Sequence, residues 1–188
     1  MQLGIINKEN LMSKKALFLC SSPRKTSNTN KIVSIVGNIF ENNSIDVEII
    51  NIANLKNTIS GCIDCGACQK STEFECVFQD ATAEIIKRIP EYNYLIFATP
   101  IYFMGANAQM KLLLDRMQCL YKFGEKTDNA IKHIKLGLIS TAGGSLELGL
   151  NLLDDTMKVL SKYTKIPYSS ILIPNIKIPS QGLCKPVI

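Results

Sequence analysis

Short apolar runs and amphipathic stretches take turns along this chain. Ala16 to Cys20 is unbroken and apolar, the pattern of a strand buried on both faces. Ile32, Val33, Ile35, Val36, Ile39 and Phe40 then recur at helical spacing and predict an amphipathic helix stopping near Asn42-Asn43. Val47, Ile49 and Ile52 alternate with polar residues and predict a second, less buried strand. Ala81 to Ile89 reads as a helix ended by Pro90, and Tyr94 to Thr99 as a third strand. Ala108 to Leu120 reads as a helix with Met110, Leu113, Leu114 and Met117 on one face. Leu136 to Ser140 gives a fourth strand, Leu146 to Tyr163 a long helix and Tyr168 to Ile173 a fifth strand. Five strands joined by helical crossovers predict an α/β fold, a doubly wound five-stranded parallel sheet covered on both faces. No internal repeat, linker or low-complexity tract interrupts it.

In such sheets ligands sit outside the carboxyl ends of the strands. Three loops fall there. The first, Ser21 to Asn30, offers the hydroxyls of Ser21, Ser22, Thr26, Ser27 and Thr29, the amide of Asn28 and the guanidinium of Arg24. It runs into a helix N-terminus, where unpaired N–H groups and the dipole favour an anion. It has no glycine, so it lacks the G-x-G-x-x-G of a dinucleotide site and suits a terminal phosphate monoester instead. The bland alternative is a polar loop with an N-cap, since Ser, Thr and Asn cap helices generally. The second loop, Thr99 to Lys111, holds Pro100, Ile101, Tyr102, Phe103 and Gly105, offering flat aromatic surface and close backbone approach to a planar ring. Core aromatics at a strand end would look the same. The third, Ser140 to Ser145, contains Thr141, Ala142, Gly143 and Gly144 and reads either as the other edge of a ring site or as a plain strand-to-helix turn.

One further segment changes the picture. Cys62, Cys65, Cys68 and Cys76 lie in a C-x2-C-x2-C-x7-C pattern. Thiolates this close converge on one soft metal centre with little loop-closure cost, and C-x2-C-x2-C matches a loop wrapped around a [4Fe-4S] cluster. The other reading of the four is a single tetrahedral zinc stabilising a non-catalytic interaction domain.

Composition supports a globular chain of one domain's size: 188 residues, 46% hydrophobic and 20% charged. The net charge of +5 is spread out. The densest basic stretch, Lys132, His133 and Lys135, has no interleaved aromatics, so no nucleic-acid partner is expected. The longest apolar stretch, Leu95 to Met110, is broken by Thr99, Pro100, Gly105, Asn107 and Gln109 and is too short to span a membrane. The run before Cys20 is too short for a secretory signal, so a cytoplasmic protein with thiols or metal ligands is expected rather than disulfides. Cys20 and Cys119 read as inert core thiols, Cys184 as a free tail thiol and His133 as surface. Asp115-Arg116 reads as a structural ion pair at a helix end. No Ser-His-Asp or paired-carboxylate set is present, so no catalytic side chain is assigned.

Three stretches together resemble a known family. SSPRKTSNTNKIV is similar to the phosphate-loop opening of the flavodoxin-fold NAD(P)H-dependent FMN reductases, and ATPIYFMGANAQMKLLLDR to their second flavin loop. Gly61 to Cys76 resembles the compact cysteine motif of the iron–sulfur flavoproteins in that group. The resemblance covers about residues 14 to 175. It implies strand order 2-1-3-4-5 and FMN held by Ser22, Arg24, Ser27, Asn28 and Thr29 at the phosphate, by Pro100 to Gly105 at the ring and by Thr141 to Gly144. It also implies a [4Fe-4S] cluster on Cys62, Cys65, Cys68 and Cys76. Homodimers or homotetramers would pass electrons between NAD(P)H or a redox partner protein, flavin and cluster. A cluster-free FMN, quinone or azo-compound reductase is the alternative within the family.

The chain departs from the pattern in two places. The last cysteine interval is seven residues. Where relatives have another helix after the fifth strand, this sequence has Pro174, Pro179 and Pro186 and no helical period. The expected organisation is an extension at residues 1–13, then a domain over 14–188 with a cysteine-rich insert at 61–78. The expected missing terminal helix leaves apolar sheet to be covered by the extension, the tail or a partner copy.

Overall fold

The structure is a computed structural model describing residues 13–57, 61–124 and 127–177. The expected extension, except its last residue, and the tail from residue 178, with Cys184, lie outside the described residues. In chain order the elements are β1 (Lys14–Cys20), α1 (Asn28–Asn42), β2 (Ile45–Asn51), α2 (Ala67–Lys70), α3 (Ala81–Arg88), β3 (Tyr94–Tyr102), β4 (Gly105–Ala106) and α4 (Ala108–Arg116). Then come β5 (Tyr121–Lys122), β6 (Asp128–Asn129), β7 (Lys135–Thr141), α5 (Asn151–Thr164) and β8 (Tyr168–Ile173).

The main sheet runs β2-β1-β3-β7-β8 with every neighbour parallel, which is the anticipated 2-1-3-4-5 order. In β1, β3 and β7, Leu17, Leu19, Leu95, Phe97, Leu136 and Leu138 face one side, with the buried residues of α3, α4 and α5. Ala16, Phe18, Cys20, Ile96, Ala98 and Ile139 face the other, against Val33, Val36 and Phe40 of α1. Both faces of the central strands are therefore apolar, as parallel strands require. No described helix is long and apolar enough to cross a membrane.

Three differences from the sequence reading bear on function. The predicted helix over Leu146 to Tyr163 is broken. Leu146–Leu150 forms one wide turn containing Leu148 and the left-handed Gly149 (φ 113°), and α5 begins only at Asn151. A glycine loses little by leaving helical backbone, and here it has a reason to leave. The predicted helix over Ala108 to Leu120 ends at Arg116, with a tighter 3-10 turn over Met117–Leu120. The uncovered sheet face is also narrower than a missing helix suggests. It is a groove between Val36 and Phe40 of α1 and Ile96, Gly137, Ile139, Ser169 and Ile171 of the sheet. Ile96 and Ile139 are already buried under α1, and Gly137 and its neighbour Ser169 add little side chain, while Ile171 stays exposed. An edge strand with polar residues needs less cover than a central one.

Candidate functional site

At the carboxyl ends of β1, β3 and β7 the three loops enclose one cavity of about 210 Å³. Ser22, Arg24, Ser27, Asn28 and Thr29 line it from the first loop, Pro100, Ile101 and Tyr102 from the second, and Thr141, Ala142 and Gly143 from the third. The Ser27 side chain accepts from the Asn30 N–H at 3.0 Å, so it caps α1 and faces the cavity at once. The α1 N-terminus with its unpaired N–H groups thus opens beside Arg24 and three hydroxyls, the donor set an anionic phosphate takes.

Hydrogen bonds between loops hold this geometry. Thr29 Oγ1 and Thr141 Oγ1 lie 2.8 Å apart, tying the first loop to the third. Asn107 is buried; its Nδ2 donates to the Ser21 carbonyl at 2.6 Å, while its Oδ1 caps α4 by accepting from the Met110 N–H at 3.2 Å. The Ser140 hydroxyl donates to the Thr99 carbonyl at 3.0 Å. After β8 the chain runs along the third loop, with the Ile176 N–H on the Ala142 carbonyl and the Asn175 N–H on the Gly144 carbonyl, both at 2.9 Å. That path brings Ile176 into the cavity wall.

The structure places four of the candidate residues outside the wall. Ser21 is fully buried behind it, with its hydroxyl toward the Ala98 carbonyl. Phe103 and Met104 form the two-residue tip of a hairpin whose arms pair Tyr102 with Gly105, and both take left-handed backbone, at φ 44° and 67°. Such a tip normally uses Asn or Gly. Phe103 is 101% exposed at its point. The left-handed positions are thus Phe103 and Met104 rather than Gly105. Gly144 sits under Leu148. The sequence pattern does not mark Asn107, Ile176 or Gly149 as parts of the site. A buried cap, a residue delivered by the chain after β8 and a glycine inside an apparent helix carry no local signal of their place.

The cysteine segment builds a second cleft. Cys62, Cys65, Cys68 and Cys76 all line it, with Arg116, Gln118 and Cys119 behind them. Gly66, at φ 68°, lets the chain turn between Cys65 and Cys68. The segment is anchored from β5. Lys122 donates to the carbonyls of Cys68, Ser71 and Glu73 at 2.5–3.0 Å and lies over the Phe74 ring. Gln69 donates to the Tyr121 carbonyl at 2.8 Å and accepts from the Phe123 N–H at 3.1 Å. Among the described residues no three Cys, His, Asp or Glu side chains draw to one point. The four thiols share one cleft. Four cysteine thiols are a donor set that either a [4Fe-4S] cluster or a single tetrahedral zinc takes.

The expected Asp115-Arg116 pair is not formed. Asp115 pairs with Lys111 one turn back on the exposed face. Arg116 points inward and its side chain is fully buried, with Nη1 on both carboxylate oxygens of Asp80 at 2.8 Å and Nη2 3.5 Å from Cys76 Sγ. Successive helical residues point about 100° apart, so neighbours in sequence do not meet. Burial pushes the thiols of Cys20 and Cys119 up to about 12, and both stay protonated near neutrality. His133 is exposed and touches the Pro90 carbonyl.

The chain matches the family model described as NADPH-dependent FMN reductase over residues 14–175. An iron-sulfur flavoprotein of Archaeoglobus fulgidus is 35% identical over 103 residues, 55% of this chain and 45% of that one. Iron-sulfur flavoprotein MJ1083 of Methanocaldococcus jannaschii is 33% identical over 106 residues, 56% of this chain and 53% of the other. The chain spans about half the length of these relatives. The fold is that of the NAD(P)H:quinone oxidoreductase from Methanothermobacter marburgensis, with a TM-score of 0.70 at 16% identity over 92% of this chain and 91% of that one. It is also that of an FMN-dependent NADH-azoreductase from Bacillus anthracis, at a TM-score of 0.63 and 13% identity, covering 88% and 90%.

Proposed function

We propose that this chain, a member of the NADPH-dependent FMN reductase family, is a flavin-dependent oxidoreductase that moves electrons between NAD(P)H or a protein donor, FMN and a [4Fe-4S] cluster. The observation that carries the reading is the single cavity that gathers a helix N-terminus, Arg24, three hydroxyls and a flat apolar wall. Ser22, Arg24, Ser27, Asn28 and Thr29 hold the phosphate. The backbone of Pro100 to Tyr102 lies along the ring, with Phe103 extending that rim and Gly105 closing the hairpin behind it. Thr141, Ala142 and Gly143 take the opposite edge, while Ser21 and Gly144 shape the loops from beneath. The bound flavin supplies hydride and one-electron chemistry, so the protein's part is binding and orientation rather than an acid or base of its own.

Cys62, Cys65, Cys68 and Cys76 are the proposed cluster ligands. The relatives named iron-sulfur flavoproteins and the shared cleft support this. The cluster-free reductase draws on a different observation: Lys122 and Gln69 hold the cysteine segment through protein contacts alone. An anaerobic visible spectrum with iron and sulfide assay separates the readings. Flavin alone is yellow, a cluster adds broad brown absorbance that bleaches on reduction, and the zinc-stabilised interaction domain would be colourless. Four irons per chain are expected. Yellow protein without iron after reconstitution points to the cluster-free reductase, and colourless protein overturns the flavin site.

A homodimer or homotetramer is proposed from the family resemblance, and sedimentation at micromolar concentration tests it. A cytoplasmic location is proposed on the unpaired cysteines, since Cys20, Cys62, Cys65, Cys68, Cys76 and Cys119 are all free.

A further inference from the structure

Arg116 is a buried cation in the wall of the cysteine cleft. Its side chain is fully buried, and that of Asp80, the carboxylate it pairs with, is 3% exposed. Nη1 is used entirely by Asp80, Nη2 reaches Cys76 Sγ, and among the described residues Nε has no hydrogen-bond partner. Burying a guanidinium is costly, and a single carboxylate leaves part of its hydrogen-bonding capacity unused. Asp80 could anchor α3 without it, since its carboxylate already caps that helix by accepting from the Ala83 N–H at 3.0 Å. A guanidinium aimed past its carboxylate partner at a candidate ligand sulfur has an electrostatic use.

We propose that Arg116 and Asp80 together set the reduction potential of the cluster, an inference that rests on the cluster reading above. Four thiolates bring four negative charges to the cleft, and each one-electron reduction adds another with no proton required. A fixed cation buried from solvent, donating N–H to a ligating sulfur, favours the more negative, reduced state and raises the potential. Asp80 opposes that effect by neutralising part of the guanidinium charge. Asp64, which also lines the cleft, is exposed and its charge is screened by solvent. Arg116 is a positioning and tuning residue here, since it reaches the group through Cys76.

The test uses the whole chain, loaded anaerobically with ferrous iron and sulfide, and reads iron content together with a potentiometric titration followed by EPR and visible bleaching. Arg116→Gln is expected to keep its iron and to shift the one-electron equilibrium at least tenfold toward the oxidised form, about 59 mV lower. Asp80→Asn, which retains an amide oxygen for the helix cap, is expected to shift it the opposite way. A merely structural pair would not produce shifts of opposite sign. Both variants titrating within threefold of wild type, or both shifting in one direction, overturns the proposal. If Arg116→Gln fails to fold, Arg116→Lys takes its place and is expected to shift the same way by less. Loss of iron from the Arg116 variant with an unmoved Asp80→Asn potential also overturns it. Wild type that loads no iron overturns the cluster reading itself, and with it this one.

Discussion

Gly149 stands against the backbone of Met104. A Cβ on Gly149 would lie 2.8 Å from Met104 Cα and 2.7 Å from Ile101 Cγ2. The contact presses the turn after the third loop onto the hairpin of the second, so two walls of the proposed flavin cavity are mutually supported. It also explains the break in the predicted helix: a continuous helix would carry its backbone away from the hairpin, and only glycine both takes φ 113° and leaves the space.

Gly149→Ala is therefore expected to destabilise the fold by about 1–3 kcal/mol through strain and overlap. FMN affinity should fall with it, because the hairpin must move. Gly61→Ala, where a Cβ meets nothing closer than 3.8 Å, is the control and should be near neutral. Thermal melts with and without FMN check both. A Gly149→Ala variant as stable as wild type would show that the hairpin gives way freely.

Arg24 is exposed at the mouth of the cavity. A charge-assisted bond to phosphate contributes roughly 1.5–3 kcal/mol. Arg24→Ala should weaken FMN binding about tenfold or more and riboflavin, which has no phosphate, far less. Fluorescence titration with the two flavins makes the comparison. Equal losses would remove Arg24 from the phosphate site.

Single Cys→Ala changes at Cys62, Cys65, Cys68 or Cys76 should each lower iron content while yellow FMN stays, since the flavin loops are built from other elements. Cys20→Ala should keep full iron. Cys119→Ala is the sharper control, because Cys119 lies in the cleft wall yet is fully buried. Full iron is expected there too, and iron lost at Cys119 but kept at one of the four would reassign a ligand.

Tyr168 donates to buried Asp154 at 2.7 Å, joining β8 to α5. Burial would raise the Asp154 carboxyl, but hydrogen bonds from Lys158 and Tyr168 outweigh it and hold the group below its usual range. A carboxyl lowered in the fold contributes stability that is complete above its unfolded value of about 4 and fades as pH falls through the folded one. Tyr168→Phe should cost about 1–2 kcal/mol at pH 7. The difference from wild type should shrink below pH 4. Urea unfolding at pH 7 and pH 3 reads both, and a difference that grows in acid contradicts the linkage.

The sequence by itself determined the five core strands, their order through the family resemblance, and the three loops at the strand ends. Those depend on local signals: a period of two or 3.6, a capping hydroxyl, four cysteines within one short loop. It also placed the thiols of one cleft, since a segment that short has little freedom to scatter them. What only the tertiary structure decided involves partners far apart in the chain. Arg116 chose Asp80, 36 positions away, over its neighbour Asp115, because the inward face of α4 meets the start of α3. Cys119 joined the cleft and Ile176 the cavity for the same reason. Gly149 broke a helix whose apolar spacing favours continuity, because packing against Met104 adds to the roughly 1 kcal/mol by which glycine disfavours a helix interior. The bare sheet face shrank because Ser169 and Gly137 fall side by side only when β7 and β8 pair in register.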